Sequence, residues 1–381
     1  ENLSPNQDEE LYAQDQLGLR ASLRFTPSDA FTLDLIATYD QQRNGGTPFI
    51  SGTFPASTAS PGGAANAFVD ANLGGLPSAA AALGNDQLGL NREVYDLNIT
   101  AEYALSDEWT FTTVNGYREF DSREVFDADG SAAPFLEFAE NADGWQISHE
   151  GRFSYQGERL RASAGWNLFI EDGRQAVPFA TEEGLYLQCA AQTPLGQAFG
   201  IPQIVPGIAC VAPDGTVPAT AITGLATQGA FTAIPYSSEF ANEGRNEAYS
   251  VFADVTWIPF DALELTAGVR LLDEYRQSGF FARVPVPFLP NATPGAPFTP
   301  SLLVGQVDTQ GRTLTADDSF QAVLPRFNAL YRISDDVNVF ATVSKGRRSP
   351  VVQLNARRDG LRARIALDEP GTSLLATAHD G

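Results

Sequence analysis

The chain has 381 residues and a formal net charge of −23, from 47 acidic and 24 basic residues. So acidic a surface lacks the basic track that binds a phosphate backbone, which excludes nucleic acid as a partner. Hydrophobic residues make up 43% of the sequence, too many for a disordered chain. No apolar stretch approaches the roughly 18 residues of a membrane-spanning helix, so two ordinary domains or one large all-β body remain.

Regular alternation of apolar and polar residues begins near the start of the chain. Every second residue from Leu17 to Phe25 is apolar, and the residues between them are small or charged. A turn over 26–30 follows, and the apolar alternation resumes from Phe31 to Tyr39. A period of two is typical of a half-buried strand. The pattern predicts two antiparallel strands joined by a tight turn.

The same hairpin unit recurs four more times along the chain, and each time the turn is only a few residues long. The weaker alternation over 361–378 adds a sixth candidate, so we expect ten to twelve strands. The four clear repeats are Tyr95 to about Arg118 with a turn at 106–108, Trp145–Tyr155 with Leu160–Ile170, Tyr249–Trp257 with Leu263–Tyr275, and Phe327–Ile333 with Val337–Lys345.

The connections between hairpins differ from the turns within them. Residues 41–93, 119–144, 171–247 and 276–320 are long and rich in Ala, Gly, Pro, Thr and Asn, and we expect them to be irregular. Loops of this length are uncommon in compact soluble domains. Because they alternate strictly with tight turns, all of them lie at one end of the predicted sheet. Outer-membrane barrels have this asymmetry, with short periplasmic turns and long extracellular loops.

The length and ends of the strands support the same interpretation. A strand of about 11 residues, tilted by about 45°, spans roughly 25 Å, which matches the apolar band of such a barrel. Aromatic residues lie at both strand ends, as Phe25 and Trp257 do near turns and Tyr95 and Tyr249 near loops. We therefore predict an all-β fold, a transmembrane antiparallel up-and-down β-barrel in contact with the lipid of a bacterial outer membrane. A soluble all-β surface module is the alternative.

The only cysteines, Cys189 and Cys210, lie in one Gly/Pro-rich stretch. Two cysteines without a histidine cluster do not make a zinc site, so we expect no metal site. A disulfide is expected instead, worth about 3 kcal/mol for a loop of about 20 residues, and it implies an oxidising compartment. Two unpaired thiols are the alternative. His149 falls on the apolar face of its strand and is interpreted as a packed histidine rather than a ligand.

Two hairpins carry runs of residues that strand alternation does not demand. LELTAGVR at 263–270 follows the strand at 246–254, and PRFNALYRISDDVNVFATVSKGRRSP occupies 325–350. These hairpins resemble consecutive hairpins of the TonB-dependent outer-membrane receptors, and the resemblance covers about residues 12–355. It implies that residues 1–381 are a middle section of a larger barrel, without the plug domain and TonB box that family members carry.

The resemblance also implies a function. Such a receptor imports a bulky, scarce nutrient, and its plug is rearranged by a TonB-type energy-coupling protein. The hairpin at 325–350 is similar to that of iron-complex receptors, so a ferric siderophore is the first expected ligand; carbohydrate, cobalamin and a passive porin-like barrel are the alternatives. The sequence contains no nucleophile elbow, phosphate loop or metal-spaced cluster. We therefore expect no catalytic residues, no cofactor and no enzymatic activity.

Charged residues on the polar face of the predicted strands are expected to face the barrel lumen. In a plugged transporter they hold the plug, and in a porin they set ion selectivity. Arg347 and Arg348 lie at the rim between strand and loop and are candidate contacts for an anionic ligand; a rim salt bridge or a lipid headgroup is the alternative. The expected lumen-facing residues are Arg20, Arg24, Arg118, Arg152, Asp254, Glu264, Arg270 and Arg332.

Overall fold

Ten strands form a single antiparallel sheet in which every strand pairs with its neighbours in sequence, from β1 to β10. This computed structural model describes residues 13–45, 89–128, 136–210, 219–231, 234–283, 308–349, 351–353 and 377–379. The up-and-down order confirms the predicted fold class. The strands are β1 Gln14–Ser28, β2 Phe31–Asn44, β3 Gly89–Ala104, β4 Trp109–Asp127, β5 Glu137–Gln156, β6 Leu160–Glu182, β7 Pro235–Phe260, β8 Leu263–Arg283, β9 Leu314–Ser334 and β10 Val337–Ser344.

Smaller elements accompany the sheet. Helices α1 Glu183–Gln192, α2 Pro194–Ala198 and α3 Ala219–Ala226 lie between β6 and β7, and strands β11 Val351–Gln353 and β12 Thr377–His379 pair with each other. Within the described residues, no helix is long and apolar enough to cross a membrane. Most of the sixth candidate hairpin, residues 361–376, lies outside the described residues.

The strands continue well beyond the predicted ends on the side away from the tight turns. The prediction of irregular chain over 119–144 was wrong for most of its length, since β4 continues to Asp127 and β5 begins at Glu137. Alternation stops there because both faces carry polar residues, as where Asp121 lies opposite Asp143. The hydrogen-bonded ladder needs no apolar face to continue. The same correction applies to parts of 41–93, 171–247 and 276–320, which hold the ends of β2, β3, β6, β7, β8 and β9.

The register collects the apolar side chains of all ten strands on one face. Leu35 on β2 lies between Leu23 of β1 and Ile99 of β3. This face is open even in the middle of the sheet, where Val251 and Trp257 of β7 are 54% and 55% exposed. An apolar patch spread over many strands is unfavourable in water, so this face requires an apolar environment such as lipid.

One chain of polar side chains interrupts the apolar face. Trp166 Nε1 donates to His149 Nε2 at 3.0 Å, and His149 Nδ1 lies 2.7 Å from Asn115 Oδ1. Because Nε2 accepts, Nδ1 carries the proton and donates to the Asn115 oxygen. Gly151 lies under the indole, and a Cβ at this position would overlap the Trp166 ring. These hydrogen bonds satisfy both ring nitrogens of His149 on the apolar face, which agrees with a packed rather than a ligating histidine.

Candidate functional site

Charged side chains near the tight turns of the polar face form ion pairs across the strands. Arg24 of β1 donates to both carboxylate oxygens of Asp34 on β2, at 2.7 and 2.9 Å. Glu264 of β8 accepts from Arg161 of β6 and Arg332 of β9, and its side chain is only 14% exposed. The Arg161–Glu264 pair joins β6 to β8 across β7, whereas the other two pairs join neighbouring strands. Together these contacts stiffen this end of the wall.

A second bridge depends on a glycine. Arg326 Nε of β9 lies 2.7 Å from Asp254 Oδ1 of β7, with β8 between them. The bridge crosses β8 at Gly268, where an added Cβ would overlap Asp254 Oδ1. Gly268 is the glycine of the LTAGVR run. Its role is therefore to leave the space through which the Asp254 carboxylate reaches Arg326.

All of the residues expected to face the lumen lie on the face opposite the apolar side chains, because each is one position out of phase with them in its strand. Their partners differ. Arg270 lies over the ring of Phe252 at 5.2 Å, and Arg152 is 3.8 Å from Glu150. Arg20 and Arg118 make no ion pair or hydrogen bond within the described part of the chain. On the polar face, the charged groups near the turns are thus ion-paired, whereas the guanidinium groups of Arg20 and Arg118 have no partner in the described part of the chain.

The segment after β10 folds back over the polar face of β8 and β9. Arg347 Nη1 donates to the Gln321 carbonyl oxygen at 2.7 Å, and its guanidinium lies 5.6 Å from the centre of the Phe320 ring. Ser349 Oγ donates to Glu274 Oε1 at 2.8 Å. Arg347 is therefore engaged by protein groups, whereas Arg348 is exposed and has no partner among the described residues.

Above the ion pairs, a trough of about 380 Å³ crosses β4 to β7. Its floor consists of Gly144, Gly173 and Gly244, which are successive cross-strand partners. Phe120, the partner of Gly144 on β4, closes one end, since a Cβ at Gly144 would meet Phe120 Cε1 at 2.9 Å. The wall on the turn side is formed by Arg118, Gln146, Glu171 and Asn246.

Sequence reasoning missed the trough because its glycines lie on three strands that are far apart in the chain. Each glycine alone indicates only a weak point in a strand. The antiparallel register brings them into one row, and the register cannot be read from a single strand. Only Arg118 had been singled out, as one of several charges on the polar face.

The helices between β6 and β7 form a compact insertion beyond the trough. A disulfide joins Cys189 to Cys210, with the Cα atoms 4.9 Å apart, and packs against Leu185 and Ile222. Tyr186 borders this core, and burial raises the pKa of its hydroxyl above the ordinary value.

One carboxylate anchors the insertion to the sheet. Glu182, the last residue of β6, is fully buried. Its side chain caps α1 by accepting from Leu185 N at 2.6 Å, and it also accepts from Thr223 Oγ1 at 2.6 Å and Ile234 N at 2.9 Å. A buried carboxylate with three donors fixes α1, α3 and the approach to β7 together.

An up-and-down sheet with an exposed apolar face, a charged opposite face and a folded insertion at one end has the features of a wall segment of a membrane receptor barrel. The family described as TonB dependent receptor-like, beta-barrel matches residues 30–371. The chain therefore belongs to the TonB-dependent receptor β-barrel family. This family and the solved structures that resemble the chain are transport receptors of the outer membrane rather than enzymes.

Several solved structures resemble the chain at low sequence identity. The ferric yersiniabactin uptake receptor FyuA from Yersinia pestis is 13% identical with a TM-score of 0.52, and the match covers 96% of this chain and 40% of that one. The siderophore receptor PiuA from Acinetobacter baumannii is 11% identical with a TM-score of 0.46, covering 90% and 42%. The ferric citrate transporter FecA is 12% identical with a TM-score of 0.44, covering 88% and 36%.

The chain thus spans less than half of the length of each of these three structures. No curated protein matches it.

Proposed function

We propose that residues 1–381 are a barrel portion of a receptor in the bacterial outer membrane that imports a bulky, scarce nutrient, with a ferric siderophore as its ligand. The observation that carries the proposal is the family match over residues 30–371. The choice of ligand is supported by the likeness of the 325–350 hairpin to iron-complex receptors. It is also supported by the likeness in fold to FyuA, a ferric yersiniabactin uptake receptor.

The two faces of the sheet have separate roles in this proposal. Outer-membrane lipid covers the apolar face. The polar face encloses the lumen, where the ion-paired end near the tight turns meets a plug domain and the end with the insertion meets the incoming ligand. A TonB-type protein supplies the energy that moves the plug. In this scheme the chain binds and guides its ligand, and no covalent bond is made or broken.

Uptake of a radioactive ferric siderophore by cells with and without the gene tests the proposal. We expect saturable uptake that depends on the gene and disappears when the TonB-type protein is deleted or the proton gradient is collapsed. Uptake that persists without the TonB-type protein would instead indicate a passive barrel. Loss of carbohydrate or cobalamin uptake, with iron uptake unchanged, would replace the ligand while keeping the receptor class.

A further inference from the structure

The trough on the polar face has a flat floor. Gly144, Gly173 and Gly244 lie on adjacent strands, so the floor is about 10 Å long at a strand spacing of about 4.8 Å. A glycine inside a strand often marks a place where another group approaches the backbone closely. Phe120 reaches over Gly144, whereas no side chain covers Gly173 or Gly244, so a planar group can lie directly against the sheet at these two positions.

Two of these glycines are not required by the packing of the protein. A Cβ added at Gly244 would meet nothing within 4 Å. A Cβ added at Gly173 would make only two ordinary van der Waals contacts, with the Asp143 carbonyl oxygen at 3.4 Å and with Gly144 Cα at 3.8 Å. Side chains at either position would occupy the trough rather than clash with the sheet. The space above them is therefore open to a ligand.

The end of the trough combines an aromatic ring with an unpaired positive charge. Phe120 lies beside Gly144, and Arg118 is two residues earlier on the same face of β4. Asp96 is the cross-strand partner of Arg118 but accepts a hydrogen bond from Asn98 instead. In contrast, Arg24, Arg161, Arg326 and Arg332 on the same face all have carboxylate partners.

Two of the remaining wall residues, Glu171 and Asn246, bond to each other and are less able to bind an anion. Asn246 Nδ2 donates to Glu171 Oε1 at 2.5 Å, which leaves the second carboxylate oxygen to accept a hydrogen bond. A volume of about 380 Å³ is at the small end of the range for ligand pockets and suits one ring with its substituents. An aromatic ring packs favourably against Phe120, and a planar carboxylate matches the fork of a guanidinium.

We propose that the trough binds a flat aromatic ring that carries a carboxylate or phenolate group, as one arm of the imported ligand. The ring lies on the glycine floor with its edge toward Phe120, its anionic oxygens accept from Arg118, and a neighbouring hydroxyl donates to Glu171. This inference rests on the proposed import function, since it specifies part of the ligand that the receptor carries.

The test uses the full protein in detergent micelles, with 2-hydroxybenzoate as the probe. Binding is measured by equilibrium dialysis, and the fluorescence of the probe gives its concentration on each side of the dialysis membrane. We expect Arg118→Gln to raise Kd by at least about tenfold, because a hydrogen bond to a charged group is lost. Gly244→Leu should weaken binding to a similar degree by filling the floor. The neutral 2-hydroxybenzamide should bind to the wild type at least about tenfold more weakly than the acid does.

Matched controls come from β1, away from the trough. Arg20→Gln removes another unpaired guanidinium from the polar face, and Gly18→Leu adds a side chain where a Cβ meets nothing within 4 Å. Both should leave Kd unchanged. The inference is overturned if the wild type does not retain the probe, if the controls lose binding as the trough variants do, or if methyl glucoside displaces the probe. Circular dichroism and heat-modifiable gel mobility establish that each variant is folded.

Failure of this inference can be told apart from failure of the proposed function. If ferric siderophore uptake depends on the gene but is unchanged in Arg118→Gln and Gly244→Leu, the import function stands and the trough is not the binding site. If the trough variants lose 2-hydroxybenzoate while no iron complex is taken up, the trough is a binding site and the iron ligand is wrong.

Discussion

Substituting Gly268 by alanine tests whether the bridge between β7 and β9 depends on the space above β8. The new Cβ would occupy the position of Asp254 Oδ1, so the carboxylate must move away from Arg326. The Arg326 side chain is 58% exposed and that of Asp254 24%. Solvent therefore screens the pair, and we expect its loss to lower the free energy of unfolding by about 1 kcal/mol.

A double-mutant cycle isolates this contribution. In an Asp254→Ala background the obstacle to the new Cβ is gone, so Gly268→Ala should then cost nothing or raise stability slightly, because alanine is the less flexible residue. The coupling free energy between the two positions should be about 1 kcal/mol. Urea-induced unfolding in detergent or thin bilayers, followed by tryptophan fluorescence, provides the measurement. Gly18→Ala serves as the control for adding a methyl group to an open strand position.

Equal destabilisation by Gly268→Ala in the two backgrounds would refute this reasoning. The nearest heavy atom to the new Cβ outside Asp254 is the Ala253 carbonyl oxygen at 3.4 Å. An effect independent of Asp254 would then arise from the backbone of β7 and not from the ion pair.

Further predictions concern the apolar face and the insertion. His149→Phe should destabilise the sheet in bilayers by about 1–2 kcal/mol, since the indole N–H loses its acceptor; the same change in a Trp166→Phe background should cost less. Replacing Cys189 and Cys210 by serine should destabilise the insertion by about 3 kcal/mol and speed its proteolysis, while the unfolding of the sheet is unchanged. Burial raises the pKa of Tyr186 above its ordinary 10.0, so the unfolded chain ionises first and the insertion should lose stability as pH rises above that value. Tyr186→Phe should reduce this alkaline loss in hydrogen exchange, and the remainder is expected from Tyr236, whose pKa burial also raises; an unchanged profile would contradict the assignment.

The hairpins between Leu17 and Lys345 were predictable from the sequence. In the half of each strand that meets the apolar medium, apolar residues recur with a period of two. The outer halves were not, since water on both sides imposes no such pattern on residues such as Asp121 or Asp143. A backbone ladder continues wherever a neighbouring strand is available. Sequence alternation therefore marks only the part of a strand that meets the apolar medium, whereas the structure shows the whole strand.

The functional surface was only partly predictable for a different reason. The parity of a residue in its strand is enough to place Arg118 or Asp254 on the polar face. Which partner it meets depends on the register between strands, and Asp254 reaches Arg326 across an entire strand. The trough and the Gly268 passage both arise from this lateral order, which no single segment encodes.

The length of β7 has a consequence for how the protein meets its surroundings. From Tyr249 at the edge of the apolar band to Pro235, the strand continues for about 14 residues, which at the rise and tilt of a barrel strand raises its end by about 30 Å. The disulfide-linked helices are thus held well beyond the apolar band by the outer halves of β6 and β7. In the proposed receptor, an arriving nutrient therefore meets these helices before it reaches the lumen.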